Sequence, residues 1–362
     1  MNFFEDTINI EFKSEILKSI HSTLDSGNLV GNDKNPFIVN FSLFLKEFYF
    51  NQKECVTCAS GTDALYGLYK VLSNDKPKKW LIPDLTWLST GTAAFQAGQD
   101  FDFCPVDENG LIDLEYLSEI DMSEYYGLVA VHLFGNVVDI DKIKKIYPHL
   151  KIIEDCAQAF GSQFIDGSYV GSKGDGAAFS LFPTKNLGTT GDGGFCVIDS
   201  SLKKELTSVF KLGQGDSKGM ITQDMIGINS RLDALHCSVA HKKLELFHET
   251  NFFSKRKFLL SRMSEALSTI KDINVVTNAN ENTCPHLLVI HSPNAEHYRS
   301  KLKDSKIPFL HHYQYGLSET SLSNKASKVF RKDYNIWKDF ISLPFHLNLT
   351  SEDISEIRKA LK

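Results

Sequence analysis

The sequence has little of what marks a membrane, secreted or nucleic-acid-binding chain. No apolar run approaches the roughly 20 residues that a membrane-spanning helix needs. The opening residues, Met-Asn-Phe-Phe-Glu-Asp, lack the basic start and apolar core of a signal peptide. Positive charge is not in excess: 39 Lys and Arg against 45 Asp and Glu leave a net charge of −6, which argues against a nucleic-acid surface. Any phosphate would have to be held locally, by backbone amides rather than by a charge field. No GxGxxG follows the first strand-like run and no GxxxxGK[ST] occurs, which disfavours nicotinamide dinucleotides and Walker-type phosphate binding. The seven cysteines are scattered, mostly inside apolar runs, as reduced and buried thiols in the cytoplasm would be. Cys55 and Cys58 form a lone CxxC with no second pair, so a metal or redox role is not expected there. The expectation is a cytoplasmic protein with no metal, no membrane segment and no nucleic-acid partner.

What is present is an ordinary globular composition, 42% hydrophobic and 23% charged, on a chain of 362 residues that suits about two domains. Helical spacing predicts helices over 12–26 and 37–50, the second with Phe41, Phe44, Leu45 and Phe48 on one face. Strand-like runs follow at 54–58, 80–83, 101–106, 128–133, 151–155 and 177–182. Helices over 64–72, 90–97 and 141–147 lie between them. Strand, helix, strand at intervals of about 25 to 30 residues is the βαβ signature of an open α/β sheet. The run 195–199 reads as a strand returning along an edge. Long helices are expected over 235–247 and 253–267, with a domain boundary between 245 and 246. Beyond it come strands near 273–276 and 287–291 and helices over 295–304 and 351–361. Thr350 to Asp353 caps the last helix and gives it an acidic first turn.

The chemistry gathers around 177–194, an apolar strand-like run that leads to Pro183, Lys185 and four glycines. A lysine just past a buried strand loses solvation, which lowers its pKa from about 10.4 and favours the neutral, nucleophilic amine. The plainer reading is a loop lysine whose head stays in water. Ligands on open α/β sheets bind beyond the carboxyl ends of the strands. Ser60, Trp87, His132, Asp155 and Lys185 all stand at or just past such ends, and this coincidence favours the chemical reading. The turn at 59–65 can cap its helix through Ser60 or Thr62, receive an anion on its amides, or do both.

Pyridoxal phosphate chemistry asks a protein for an amine, a carboxylate for the ring nitrogen, donors for the phosphate and a flat face for the ring. Lys185 and Asp155 supply the first two, Gly61, Thr62 and Ser180 the third, and Trp87 the fourth.

At this point a resemblance is specific. Ser-Gly-Thr-Asp-Ala-Leu (60–65), Pro-Asp-Leu-Thr-Trp (83–87), Val-His-Leu-Phe-Gly (131–135) and Glu-Asp-Cys-Ala-Gln-Ala-Phe-Gly (154–161) occur in that order. They are followed by Phe-Ser-x-x-x-Thr-Lys-Asn-Leu (179–187), Gly-Asp-Gly-Gly (191–194), Gly-Ile-Asn-Ser-Arg-Leu (227–232) and Leu-Pro-Phe-His-Leu-Asn-Leu-Thr (343–350). From about residue 55 onward the chain resembles the DegT/DnrJ/EryC1/StrS aminotransferases. The resemblance implies an α/β fold of pyridoxal-phosphate fold type I, aspartate aminotransferase-like. A large, mostly parallel sheet domain (1–245) would be joined to a small α+β domain (246–362). It implies a homodimer with shared active sites that moves an amino group to a keto carbon, C3 or C4, of a nucleotide-linked deoxysugar. Glutamate is the usual donor, and the products serve surface polysaccharides such as O-antigen and lipopolysaccharide, or natural products. By the same resemblance Lys185 forms the internal aldimine and serves as acid and base, Asp155 pairs with the ring nitrogen, and Gln158 meets the ring hydroxyl. Trp87 stacks on the ring, Gly61, Thr62 and Ser180 hold the phosphate, and Asn229 reaches it from the partner.

Two departures stand out. The family's Tyr-x-Pro-Leu-His segment is replaced by His311-His312-Tyr313-Gln314-Tyr315-Gly316-Leu317, and the glutamate expected after Phe41 is Ser42. His311, His312 and Tyr313 are therefore candidates for sugar or diphosphate contact, or are structural. Relatives with histidine in place of the lysine catalyse dehydration, so Lys185 argues for transamination. A pyridoxal-phosphate dehydratase and a non-catalytic regulatory relative are the alternatives. Retention of both Lys185 and Asp155 speaks against a pure binder.

Overall fold

A computed structural model describes residues 3, 12–73, 78–215, 223–332 and 335–362. Among the described residues, two helices, α1 (Lys13–Ser26) and α2 (Pro36–Phe48), precede the first strand. Gly27 closes α1 in the left-handed region at φ 67°. Asn35 opens α2 by accepting the Phe37 amide, with Pro36 at the first helical position. Phe41 and Leu45 of α2 are fully buried, as the spacing predicts, while Phe48 stays exposed.

Among the described residues seven strands form the main sheet: β1 (Glu54–Cys58), β2 (Lys79–Pro83), β3 (Phe101–Cys104), β4 (Tyr125–Val131), β5 (Lys151–Asp155), β6 (Gly176–Ser180) and β7 (Gly194–Ile198). Their spatial order is β1-β7-β6-β5-β4-β2-β3. β2 to β6 pair in parallel, and β7 is antiparallel to both of its neighbours. The expectation of an edge position for β7 is corrected: it lies between β1 and β6. All five of its residues are buried, and their backbone groups, cut off from water, pair with β1 on one side and β6 on the other. The edge on that side is β1, whose Glu54 carries ion pairs to Lys46 and Lys203 that a solvent-facing border tolerates.

Helices α3 (Gly61–Leu72), α4 (Leu88–Gln96) and α5 (Ile140–Ile146) connect the parallel strands, α6 (Lys203–Phe210) follows β7, and α7 (Ala234–Glu249) packs on α1 and α2. From Ala64 to Leu72 every residue of α3 except Lys70 is buried, as expected of a helix covered nearly all round. The buried Leu206, Val209 and Phe210 of α6 repeat at helical spacing, and this helix is an addition to the elements expected from the sequence.

The chain continues through α8 (Phe252–Leu267), β8 (Asn274–Val275), β9 (Leu288–His291), α9 (Ala295–Asp304), β10 (Phe340–Leu343) and α10 (Ser351–Leu361). The three strands make an antiparallel sheet ordered β10-β9-β8. Helices α8, α9 and α10 cover a second apolar core with Leu260, Met263, Leu302 and Leu361 at its centre. Position 245/246 falls inside α7, which runs unbroken to Glu249, and the second core begins at Leu259. Tyr313, Leu317, Leu322 and Trp337 then return to the first core. This return brings late-chain residues to the end of the main sheet.

Candidate active site

A cavity of about 470 Å³ opens beyond the carboxyl ends of the parallel strands. Gly61, Thr62, Trp87, Asp155, Gln158 and Ser180 line it, and so does Lys185. His312 and Tyr313 arrive from the returning segment and close one side.

Ser60 caps α3, its hydroxyl accepting the Asp63 amide at 3.1 Å and its carbonyl accepting the Ala64 amide at 3.0 Å. Thr62 plays no part in the cap; its hydroxyl donates to Ser89 Oγ at 2.8 Å. The amides of Gly61 and Thr62 therefore stand in the helix's first turn without an intrahelical acceptor, at its positive end. Close approach is built in here. A Cβ on Gly61 would lie 2.8 Å from Ser180 Cβ, and a Cβ on Gly194 would lie 2.5 Å from the Ser60 carbonyl. Glycines at these points let the end of β6 meet the start of α3. Two amides and Ser180 Oγ around a helix N-terminus, with Thr62 Oγ1 once its proton turns away from Ser89, make a donor set that suits a phosphate.

Lys185 sits on a short turn after β6, its amide bonded to the Phe182 carbonyl at 2.9 Å. Neighbours pin the turn. Asn186 Nδ2 donates to the carbonyls of Phe160 and Cys284, and Lys243 Nζ donates to the Gly188 carbonyl at 2.6 Å. Burial lowers the Lys185 amine to about 8, against the opposing pull of the Asp155 charge. Asp155 is buried at the end of β5, and burial raises its pKa. Its carboxylate accepts the Ala157 amide at Oδ1, 3.2 Å away, and the Thr90 hydroxyl at Oδ2, 2.9 Å away. The Lys185 amine also favours its ionised form.

Gln158 bridges the two parts of the chain. Its Oε1 accepts the Phe134 amide at 2.8 Å, and its Nε2 donates to the Tyr313 hydroxyl at 2.9 Å. Phe134 takes φ 62°, a strained value for an aromatic residue that costs on the order of 1–3 kcal/mol. That conformation is what turns its amide to Gln158 while its carbonyl accepts the His286 amide at 2.9 Å. Tyr313 is buried, its phenol pushed up by desolvation, and it lies edge-on to Trp87 with ring centroids 6.5 Å apart. Trp87 is 57% exposed, which leaves much of its indole uncovered for a ring to lie against.

Three residues singled out from the sequence stand elsewhere. His132 is fully buried and outside the cavity lining. Its Nδ1 accepts the Val138 amide, so Nε2 carries the proton and donates to Glu154 at 2.9 Å. Glu154 also accepts the amides of Gly171, Lys173 and Gly174. His132, Glu154 and Cys156 lie close enough to suggest a cation site, but both imidazole nitrogens and both carboxylate oxygens already have partners. His311 does not line the cavity; its Nε2 lies 3.3 Å from the Trp337 carbonyl. Asn229 is exposed, in an isolated bridge with Lys211, and does not line the cavity of its own chain. Its neighbour Ser230 is tied to the site, accepting the Ala59 amide and donating to Asp63, each at 2.8 Å.

Several residues of the site are additions to those expected from the sequence. Thr86 and Ser89 line the cavity and Thr90 holds Asp155. A visible signal existed, since Thr86 and Thr90 flank Trp87 at the strand end already singled out. His286 also lines the cavity, and nothing in Cys-Pro-His marks it. His312 Nδ1 is 2.8 Å from Ser342 Oγ, and desolvation and the Lys185 charge hold its pKa at about 4.

The family model of the DegT/DnrJ/EryC1/StrS aminotransferase family matches residues 11–362. The erythromycin biosynthesis sensory transduction protein EryC1 of Saccharopolyspora erythraea is 29% identical over 312 residues, covering 84% of this chain and 82% of that protein. The dTDP-3-amino-3,4,6-trideoxy-alpha-D-glucose transaminase of Streptomyces venezuelae is 28% identical, covering 84% and 79%. A crystal structure of a DegT DnrJ EryC1 StrS aminotransferase from Brucella abortus superposes with a TM-score of 0.89 at 25% identity, covering 100% of this chain and 98% of that one.

Proposed function

The chain belongs to the DegT/DnrJ/EryC1/StrS aminotransferase family, and on that premise we propose how its residues carry out amino transfer. It is a pyridoxal-phosphate-dependent aminotransferase of fold type I. The acceptor we assign is a keto carbon, C3 or C4, of a nucleotide-linked deoxysugar, in keeping with the dTDP-sugar substrate named for the Streptomyces relative. The donor is an amino acid, glutamate by preference. The family match favours amino transfer over dehydration and over a silent regulatory role.

The observation that carries this reading is the convergence of Lys185 and Asp155 on one cavity, beside the amide-rich start of α3. The donor set fits the cofactor. The amides of Gly61 and Thr62, with the hydroxyls of Thr62 and Ser180, would hold its phosphate. Trp87 would cover one ring face, Gln158 would meet the ring hydroxyl and Asp155 would face the ring nitrogen. When bound, pyridoxal phosphate supplies the electron sink that stabilises a carbanion beside the transferred nitrogen. The protein does the rest. Lys185 Nζ, held at about 8, takes a proton from the carbon bearing the donor's amino group and later delivers one to the sugar carbon. Burial raises the Asp155 pKa, and the Ala157 amide, the Thr90 hydroxyl and the Lys185 charge work against that rise in favour of the ionised form. Tyr313 orients Gln158 through their 2.9 Å bond.

Two further assignments complete the proposal. Asn229, exposed on a segment anchored by Ser230, reaches the phosphate of a second copy, which makes the working unit a homodimer with shared sites. Residues 246–362 form the smaller unit, and through His312 and Tyr313 it covers the sugar; His311 braces that segment against the Trp337 carbonyl. The protein works in the cytoplasm on sugars destined for surface polysaccharide such as O-antigen, or for natural products. The test is a panel of keto-sugar nucleotides incubated with cofactor-loaded protein and ¹⁵N-glutamate. Label in the sugar supports the reading, and unlabelled or dehydrated product overturns it.

A further inference from the structure

Thr90 Oγ1 stands between two oxygens, 2.9 Å from Asp155 Oδ2 and 2.8 Å from Thr86 Oγ1. Thr90 is fully buried and Thr86 nearly so. A threonine hydroxyl has one proton to give, and an ionised carboxylate can only accept. The Thr90 proton therefore goes to Asp155, and Thr86 must donate to Thr90. The result is a directed chain, Thr86 to Thr90 to Asp155. Protonation of Asp155 at Oδ2 would reverse every bond in it. The ionised orientation is favoured because a hydrogen bond to a charged acceptor is roughly twice as strong as a neutral one.

The chain is rigidly mounted. Thr90 lies in the first turn of α4, its amide bonded to the Trp87 carbonyl at 3.1 Å and its carbonyl accepting the Tyr69 hydroxyl at 3.2 Å. With the Ala157 amide on the other oxygen, the Asp155 carboxylate is gripped on both sides and its plane cannot turn freely.

We propose that Thr90 is a positioning residue for amino transfer, and that with Thr86 behind it the hydroxyl chain keeps Asp155 ionised and sets the angle at which its carboxylate meets the ring nitrogen. This rests on the assignment of Asp155 to that nitrogen.

Thr90→Val keeps the shape and removes the hydroxyl, and Thr90→Ser restores it. In holoenzyme, Thr90→Val lowers kcat about tenfold or more, the scale of one hydrogen bond to a charged group, with the KM of each substrate changed less than about twofold. Its affinity for pyridoxal phosphate, measured by equilibrium dialysis of the apoprotein, weakens by a comparable factor, and the pH titration of the bound cofactor's absorbance shifts. Thr90→Ser recovers kcat and affinity to within about threefold. Thr86→Val, which leaves Thr90 in place, gives a smaller change of the same kind and stands in if Thr90→Val does not fold. The proposal is overturned if Thr90→Val behaves as wild type, if valine and serine variants lose equally, or if only KM moves. Asp155→Ala run alongside separates the failures: if it is inactive while Thr90→Val is normal, only the hydroxyl chain is wrong; if it too is normal, the ring-nitrogen assignment falls.

Discussion

Glu154 and Asp155 are consecutive residues of β5 whose carboxylates serve opposite faces of the sheet. Glu154 is saturated by His132 and by the amides of Gly171, Lys173 and Gly174, and it holds the loop that follows β5. Asp155 turns the other way, into the cavity, where Thr90 and Ala157 hold it and Lys185 shares its surroundings. The two-residue period of a strand turns one acid into the packed face of the sheet and its neighbour into the cavity.

Asp155→Ala should therefore be severe and Glu154→Ala severe for a different reason. Loss of Asp155 leaves a buried cationic ring without its counter-charge, and kcat should fall about a hundredfold or more with the fold intact. Loss of Glu154 strands three amides and should lower the melting temperature. Steady-state kinetics beside thermal unfolding distinguishes the two, and near-normal turnover of Asp155→Ala would refute its assignment.

Lys185→Ala should bind pyridoxal phosphate without the visible absorbance of the wild-type complex, and it should show no turnover. The apoprotein offers a second reading. Burial disfavours the charged amine in the folded state, at about 8, while the unfolded chain keeps its proton to about 10.4. Between those values the unfolded state binds more protons, so this group makes the protein more stable as pH rises. Thermal unfolding of cofactor-free Lys185→Met from pH 8 to 10 should lack that rise.

His312 gives the complementary slope at low pH. Its folded pKa of about 4 lies below the usual value of about 6.5. As pH falls from 6.5 toward 4 the unfolded chain takes up a proton that the folded site refuses, and stability drops. His312→Asn should flatten the unfolding profile in that window, and an unchanged profile would count against a desolvated imidazole.

Asn229 tests the shared site. Inactive Lys185→Ala mixed with inactive Asn229→Ala should regain activity, because in the mixed dimer one of the two sites has both residues intact. If mixing and refolding restores nothing, Asn229 does not act across an interface.

Gly61→Ala should weaken cofactor binding about tenfold or more. The added methyl would lie 2.8 Å from Ser180 Cβ, so the start of α3 must move away from β6 and the phosphate donors separate. Titration of the apoprotein with pyridoxal phosphate measures this directly. Unchanged affinity would show that the phosphate lies elsewhere.

Local chemistry made much of this legible from residues alone. The alternation of apolar strands and periodic helices, with Lys185, Asp155 and the small residues at 60–62 just past strand ends, is written in short-range spacing. The α9 and α10 boundaries match their expected spans for the same reason, as the Thr350–Asp353 capping box shows. What spacing cannot carry is facing and return. His132 and Asp155 both stand at strand ends, yet one packs under the sheet beside Glu154 and the other opens on the cavity. Thr90 meets Asp155 across 65 positions and Tyr313 meets Gln158 across 155, contacts that exist only once the strands are ordered and the late chain folds back. Sequence by itself determined most of the strands and set the amine and the carboxylate just past strand ends, because each depends on a few neighbouring residues. Only the tertiary structure decided which side chains share the cavity and what holds them, because that depends on strand order, on a one-residue change of face and on packing between segments far apart in the chain.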